Sequence, residues 1–399
     1  MPIALYALAA ASFAIGMAEF VVVGILPAIA RDMSVDIPTA GQLVSLYALG
    51  VALAAPLLTA ATGRIDRRKL SVGLMIAFVA ANLIAWQASS YPMLLVGRVL
   101  AGMVQGVFYS MATVLAANLV SKEKSGQAIA LVFMGLTVAL VSGVPLGTFI
   151  SDLFGWRATF LFISALGLAS AIAQWMLLPK KIERPEPAKL HQQLSVVLVP
   201  RMMLVFLITC LSYGGAFIAF TYLSEILQKV TGFSVSTVSM VLILYGAAVT
   251  LGNIYCAKYA GSKGAIKAMV VMFAVLTVIL ALIEPVAANP YLMVPLIMVW
   301  GAMAFGSIPV LQLYVVQQAE KHAPRSVDAA SGMNISAFNA GIALGAWLGG
   351  IVVANYGLLA TGSAAAVVVA FSILLVLLSG YFDKKHTQSI EQQSITDVA

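Results

Sequence analysis

Apolar residues occupy this chain in long runs that short polar segments separate. Each of twelve runs reaches about 20 residues or more, the length that spans the hydrocarbon layer of a bilayer. The runs lack the alternating pattern of barrel strands, and a backbone in lipid must satisfy its own hydrogen bonds, so the pattern predicts helices. The predicted spans, numbered 1 to 12 in chain order, lie near residues 4–29, 40–62, 70–88, 92–119, 126–149, 158–178, 201–228, 235–258, 266–286, 291–318, 328–353 and 358–382.

Composition supports an all-α membrane protein with several spans. Of the 399 residues, 62% are hydrophobic and only 9% are charged, which is far outside the range of soluble domains. The first run has no basic region before it and no separate cleavage site. It is therefore predicted to be a retained helix and not a signal peptide.

The basic residues predict the orientation of the spans. Most of the 22 lysines and arginines fall in loops on one side, whereas the other side holds only Arg31, Arg157 and Lys229. By the positive-inside rule, both termini and the loop between spans 6 and 7 are cytoplasmic. The net charge of +7 thus reflects topology, and no nucleic-acid partner is expected, because no basic stretch is interleaved with aromatic residues.

The cysteines and histidines give no indication of a metal or a cofactor. Cys210 and Cys256 lie inside spans without C-x-x-C spacing, while His191, His322 and His386 lie in loops or the tail. No catalytic Ser/His/Asp set, P-loop or dinucleotide fingerprint is present. We therefore expect neither an enzyme nor an ATP-driven pump, and no cofactor.

The chain divides into two similar halves. A segment rich in proline and charge, residues 179–200, separates a six-helix bundle at 1–178 from another at 201–383, and a tail at 384–399 follows. The second half repeats features of the first at an offset near 200, as transporter folds do. The matching pairs include Tyr47 with Tyr245, Tyr91 with Tyr291, Met93 with Met293, Met103 with Met303, Gly106 with Gly306, Gly143 with Gly345, Gly147 with Gly349 and Gly155 with Gly357.

Glu19 is the only charged residue between Met1 and Arg31. An ionisable group at a span centre costs roughly 2.5 to 3.5 kcal/mol, and such groups usually face a cavity or a partner. Arg98 is a second charge, inside span 4. At the repeat offset Arg98 falls opposite Met298, and Glu19 falls opposite residues such as Phe217, so the charge within the membrane belongs to the first half.

Five short motifs of glycine, proline and polar residues stand out in the spans and at their ends. They are Gly16-Met17-Ala18-Glu19-Phe20, Arg98-x-x-x-Gly102-x-x-Gln105-Gly106, Gly143-Val144-Pro145-Leu146-Gly147, Gly155-Trp156-Arg157 and Asn339-x-Gly341-x-x-x-Gly345. These motifs resemble those of the major facilitator superfamily, and more narrowly of its bacterial drug/proton antiporter and sugar-efflux branch, which includes arabinose-efflux and chloramphenicol-resistance permeases. The superfamily's usual acid in the loop between spans 2 and 3 is absent, since Gly63 takes its place, which weakens the usual charge latch.

The resemblance implies a central cavity lined by spans 1, 4, 7 and 10 in a bacterial inner membrane. Glu19 lies roughly 15 Å and Arg98 roughly 9 Å below the outer ends of their spans, so the two side chains could meet there. We expect them to couple transport to protons, with a structural salt bridge as the alternative. Helix packing is the alternative for the candidate substrate contacts, which are Ser12, Gln105, Tyr109, Ser110, Thr113, Tyr213, Tyr222, Trp300 and Gln312.

Span 5 and span 11 carry candidate conformational residues. Gly143, Pro145 and Gly147 remove bulk and a backbone donor, which permits a bend, close packing or, as the resemblance implies, control of exchange. Asn334 and Asn339 are expected to hydrogen-bond between helices. The acids near span ends, Glu225, Asp152, Glu284 and Asp328, are expected to be solvated.

The sequence thus predicts a monomeric, proton-coupled exporter of small amphipathic molecules or drugs, whose partners are its substrate, protons and the lipid bilayer. Sugar or nucleoside efflux is the alternative within transport. A passive channel is the alternative from another class, although a channel would favour a ring of like groups around one axis.

Overall fold

The computed structural model describes residues 1–62, 65–121, 124–179 and 195–396, and these residues form helices without any strand. Helix αn corresponds to predicted span n, and two of the helices are interrupted. A helical turn at Ile283–Val286 follows α9, and a 3₁₀ turn at Pro324–Ser326 precedes α11. The helices are α1 (Ile3–Asp32), α2 (Ile37–Thr62), α3 (Arg67–Trp86), α4 (Tyr91–Asn118), α5 (Ser125–Val138 and Val144–Phe154), α6 (Trp156–Leu177), α7 (Pro200–Phe220 and Leu223–Lys229), α8 (Val235–Lys263), α9 (Ala265–Ala281), α10 (Pro290–His322), α11 (Val327–Tyr356) and α12 (Ala360–Thr396).

Within the described part of the chain, eleven of these helices are long and apolar enough to cross a membrane. The twelfth, α9, is shorter, with 17 residues. The prediction of an all-α membrane protein with several spans is confirmed. Most of the predicted linker lies outside the described residues, and α12 continues past the predicted end of its span to Thr396.

Local sequence explains where several helices begin, end or break. In α5, a π-helical turn at Ala139–Gly143 separates the two parts, and Pro145 then stands in the first turn of the second part, where its missing N–H costs nothing. Gly155 and Gly357, which match in the repeat, have φ values of 83° and 87°. Both therefore make the sharp turn into the next helix that glycine permits.

We call the side opposite the two termini the outer side, which the basic residues predict to be extracellular. At the inner end, Arg201 at the start of α7 pairs with Asp383, which ends the apolar part of α12. At the outer end, Arg157 at the start of α6 pairs with Asp32 at the end of α1, at 2.6 Å. Each pair holds helices of one half together.

The two halves touch each other in the outer part and at the centre. The Ser224 hydroxyl donates to the Gly24 carbonyl at 3.0 Å, and the Ser45 hydroxyl donates to the Ala343 carbonyl at 2.7 Å. Near the middle, the rings of Phe20 and Phe305 meet edge to face at 5.9 Å. The molecule is therefore closed on its outer side.

Candidate functional site

Glu19 lies in the middle of α1, where only 9% of its surface is exposed. It borders a cavity of about 10 Å³ between the two halves, which is close to the space that a single water molecule needs. A substrate cannot occupy this volume until the helices move. The cavity is lined by Glu19, Phe20, Val23, Val44, Tyr47, Ala48, Phe217 and Ile342.

Arg98 of α4 is fully buried and reaches towards α1 and α2. Its guanidinium donates to the carbonyl of Ala18 at 2.6 Å and to that of Leu43 at 3.4 Å, and it lies 4.0 Å from the ring centre of Tyr47. The ion pairs among the described residues do not join Arg98 to Glu19. The two side chains that the sequence suggested could meet are thus neighbours without direct contact.

A polar chain links these two charged groups. The Tyr47 hydroxyl donates to Oε1 of Gln105 at 2.6 Å, and the Gln105 side chain and the Arg98 charge both act on the Glu19 carboxyl group. Arg98, Tyr47, Gln105 and Glu19 therefore form one network across α4, α2 and α1. A change in the charge of Glu19 would therefore alter the electrostatic environment of the other three residues in the network.

Ser12 and Tyr109 form a further pair of polar side chains, on the inner side of this network. Their hydroxyls hydrogen-bond at 2.8 Å, which joins α1 to α4, and the Tyr109 ring stacks on Phe133 at 5.2 Å. Ser110 and Thr113 lie further along α4 and are half-buried. Their hydroxyls donate to carbonyls of their own helix, so they bind no neighbouring helix.

The second half contributes rings where the first half contributes charge. The Tyr213 ring meets Phe305 at 5.6 Å and Phe217, which lines the cavity beside Glu19, at 5.2 Å. Trp300 is fully buried and meets Phe220 at 6.2 Å. We call this set of residues from α7, α8 and α10 the aromatic cluster: Tyr213, Phe217, Phe220, Tyr245, Trp300 and Phe305.

Two of the candidate substrate contacts lie elsewhere. Tyr222 is at the outer end of α7, where its hydroxyl donates to the carbonyl of Ala346 at 3.1 Å. Gln312 is held by α11, because its amide nitrogen donates to Ser331 and its oxygen accepts from Asn334 at 2.8 Å. Neither side chain borders the small cavity beside Glu19, and the other seven candidate substrate contacts do not line it directly either.

The candidate conformational residues in α5 and α11 take different roles in helix packing. Gly143 faces Met17 of α1 and Gly147 faces Val21, so the glycines of α5 allow α1 to approach closely, while Pro145 follows the break in α5. Asn334 joins α11 to α10 through Gln312, as predicted. For Asn339 the expectation is wrong, because its amide donates to the carbonyl of Ile335 in its own helix, at 3.0 Å.

The expected solvation of the acids near span ends holds for Asp152 and Glu284, which are exposed, but is wrong for Glu225. Glu225 is only 3% exposed, and Lys229 lies 2.6 Å from its carboxylate. The prediction assumed that a residue close to a span end is solvated, but α1 covers this part of α7. The side chain of Asp328 lies outside those described.

Sequence reasoning also missed Tyr47 as a site residue. Its match with Tyr245 in the repeat was visible, but its hydrogen bond to Gln105 and its contact with Arg98 depend on how α2 packs against α4. As for metal ions, no group of three or more His, Cys, Asp or Glu side chains gathers among the residues described here.

Comparison with known sequences gives full-length relatives. The model of the Major Facilitator Superfamily matches residues 8–327. The chain is 43% identical to the uncharacterized MFS-type transporter YtbD of Bacillus subtilis, over 96% of this chain and 97% of that one. It is 36% identical to the inner membrane transport protein YdhP of Escherichia coli, over 94% and 95%, and 30% identical to the chloramphenicol resistance protein of Streptomyces lividans, over 89% and 94%.

Solved structures show the same architecture. A bacterial homolog of the human lysosomal transporter Spinster superposes with a TM-score of 0.73, over 94% of this chain and 96% of that chain, at 15% identity. This likeness is one of fold, and it confirms the predicted arrangement of the helices.

Proposed function

Because this chain belongs to the major facilitator superfamily, we propose that it is a proton-coupled transporter that exports small amphipathic molecules across the bacterial inner membrane. The observation that carries the proposal is the buried carboxyl group of Glu19 beside a cavity between the halves. A nearby positive charge such as that of Arg98 favours the ionised carboxyl group, whereas burial among apolar side chains favours the neutral one. Small changes in hydration can therefore shift its protonation.

The proposed cycle follows from this balance. A substrate enters from the cytoplasm when the inner side opens, and its polar groups favour the ionised form of Glu19, which gives up its proton. The two halves then rock, the outer contacts separate, and protonation of Glu19 from outside favours release of the substrate. The inward proton gradient thus drives export.

Two relatives support the proposed direction of transport, which is export, and the proposed location of the protein in the inner membrane. The similarity to a chloramphenicol resistance protein makes chloramphenicol a suitable first test substrate. The similarity to an inner membrane transport protein supports the inner membrane as the site of action. We propose that the termini are cytoplasmic, in agreement with the distribution of basic residues.

The test is chloramphenicol transport by the purified protein in proteoliposomes with an imposed pH gradient. We expect Glu19→Gln to remove the stimulation by the gradient while counterflow of chloramphenicol without a gradient continues. Glu225→Gln is the matched control, because Glu225 is also buried but does not border the cavity beside Glu19. Equal stimulation of the wild type and Glu19→Gln would refute the proposal.

A further inference from the structure

The two tyrosines that match in the repeat, Tyr47 and Tyr245, have different surroundings. Tyr47 donates to Gln105, and its ring faces Arg98. At the offset of 200, the position of Gln105 is taken by Phe305, and that of Arg98 by Met298. The ring of Tyr245 accordingly meets Phe305, at 6.0 Å, and no acceptor stands where Gln105 stands in the first half.

Two buried donors of the aromatic cluster consequently have no partner among the described residues. These are the hydroxyl of Tyr245, whose side chain is 1% exposed, and the indole N–H of Trp300, which is 0% exposed. Leaving a buried donor unpaired costs about 1 to 3 kcal/mol, and native structures rarely do so without a reason. Both rings contact Phe220, with centroid distances of 5.4 and 6.2 Å, so the donors belong to one region.

This region adjoins the cavity beside Glu19. Phe217 lines the cavity and also contacts Phe220, Phe305 and Tyr213. Among the described residues, ring contacts without hydrogen bonds join the members of the cluster to one another. They can therefore separate to enlarge the cavity without breaking a hydrogen bond, whereas the network in the first half cannot.

We propose that Tyr245 and Trp300 anchor the substrate through hydrogen bonds, and that the substrate carries an acceptor oxygen on a ring or other flat apolar body. The flat body would lie among Phe220 and Phe305, and the acceptor would satisfy the two donors. This inference rests on the proposed function, and it narrows the substrate class. It disfavours cations that lack an acceptor, even though Glu19 is near.

The test measures ligand binding to the detergent-purified protein without any pH gradient, so it is independent of proton coupling. Chloramphenicol, an aromatic with nitro, amide and hydroxyl oxygens, is compared with tetraphenylphosphonium, which has no acceptor. We expect Tyr245→Phe to weaken chloramphenicol binding about 3- to 10-fold, the value of one hydrogen bond. Binding of tetraphenylphosphonium should not weaken, and Trp300→Phe should act in the same direction as Tyr245→Phe.

The matched control is Tyr47→Phe, the same change at the equivalent position of the repeat. Loss of the Tyr47 hydroxyl removes the bond to Gln105 and should lower the Tm of the ligand-free protein. Tyr245→Phe removes an unpaired hydroxyl and should leave that Tm unchanged or higher. The inference is overturned if Tyr245→Phe lowers the Tm as Tyr47→Phe does, or if the wild type binds chloramphenicol no better than Tyr245→Phe does, including no binding by either. Failure of Glu19→Gln to uncouple transport would instead refute only proton coupling.

Discussion

Arg98 is the residue whose role the structure clarifies most. A structural salt bridge would need an acid in contact, and the described residues form no such pair with it. Its guanidinium instead binds the carbonyls of Ala18 and Leu43, which lie inside helices and accept helical hydrogen bonds as well. We propose that the cation is kept here for its effect on Glu19, and the alternative is that it holds α4 against α1 and α2.

We predict that Arg98→Met, which copies the matching residue Met298, retains the fold but not the coupling. Arg98 has no ion pair among the described residues, and Glu19 can bind a proton when the cation is lost, so no buried charge is left uncompensated and the free energy of unfolding should change by about 1 kcal/mol or less. Transport driven by a pH gradient should be lost. Thermal unfolding and transport by the same preparation check both parts, and a large fall in Tm would show that Arg98 is structural.

At the level of helices, the sequence predicted the spans well, because their length and apolar character are set by the bilayer. It also located the irregular part of α5 near Gly143 and Pro145, since proline and glycine act locally. Contacts between helices that are distant in the sequence were harder to predict. The attachment of Gln312 to α11 and the cover over Glu225 depend on packing that no local pattern contains.

We predict that the two glycines of α5 differ in tolerance. A Cβ at Gly147 would lie 2.3 Å from a methyl group of Val21 and 3.1 Å from one of Thr159, whereas at Gly143 the nearest atoms, 3.2 Å away, belong to the flexible side chain of Met17. Gly147→Val should therefore lower stability by about 1 to 3 kcal/mol or more through overpacking. Gly143→Ala should have a much smaller effect. Thermal unfolding of both variants tests this, with Gly73→Ala, where no atom lies within 4 Å, as the control; equal losses at both glycines would contradict it.

At the level of the whole molecule, the described residues form two hydrogen bonds between the halves on the outer side. Ser45 and Ser224 provide hydrogen bonds to Ala343 and Gly24 across the interface. Each is worth about 1 kcal/mol. Because alternating access needs the two states to be close in free energy, such contacts can set the balance between them.

We predict that the double change Ser45→Ala and Ser224→Ala shifts the equilibrium up to about 30-fold towards the outward-open state. A cysteine placed at Val44, which lines the cavity, should react faster with an impermeant maleimide added from outside, once Cys210 and Cys256 have been replaced. Ser110→Ala and Thr113→Ala serve as controls, because those hydroxyls bond within their own helix. An unchanged labelling rate would show that the outer side is held by other contacts.

The central claim is that substrate and proton compete through Glu19, and its most direct measurement is proton release when chloramphenicol is added to the purified protein in weak buffer. We predict that the wild type and Glu225→Gln release protons on binding. Glu19→Gln should bind chloramphenicol and release none. Equal proton release by the wild type and Glu19→Gln would contradict the account.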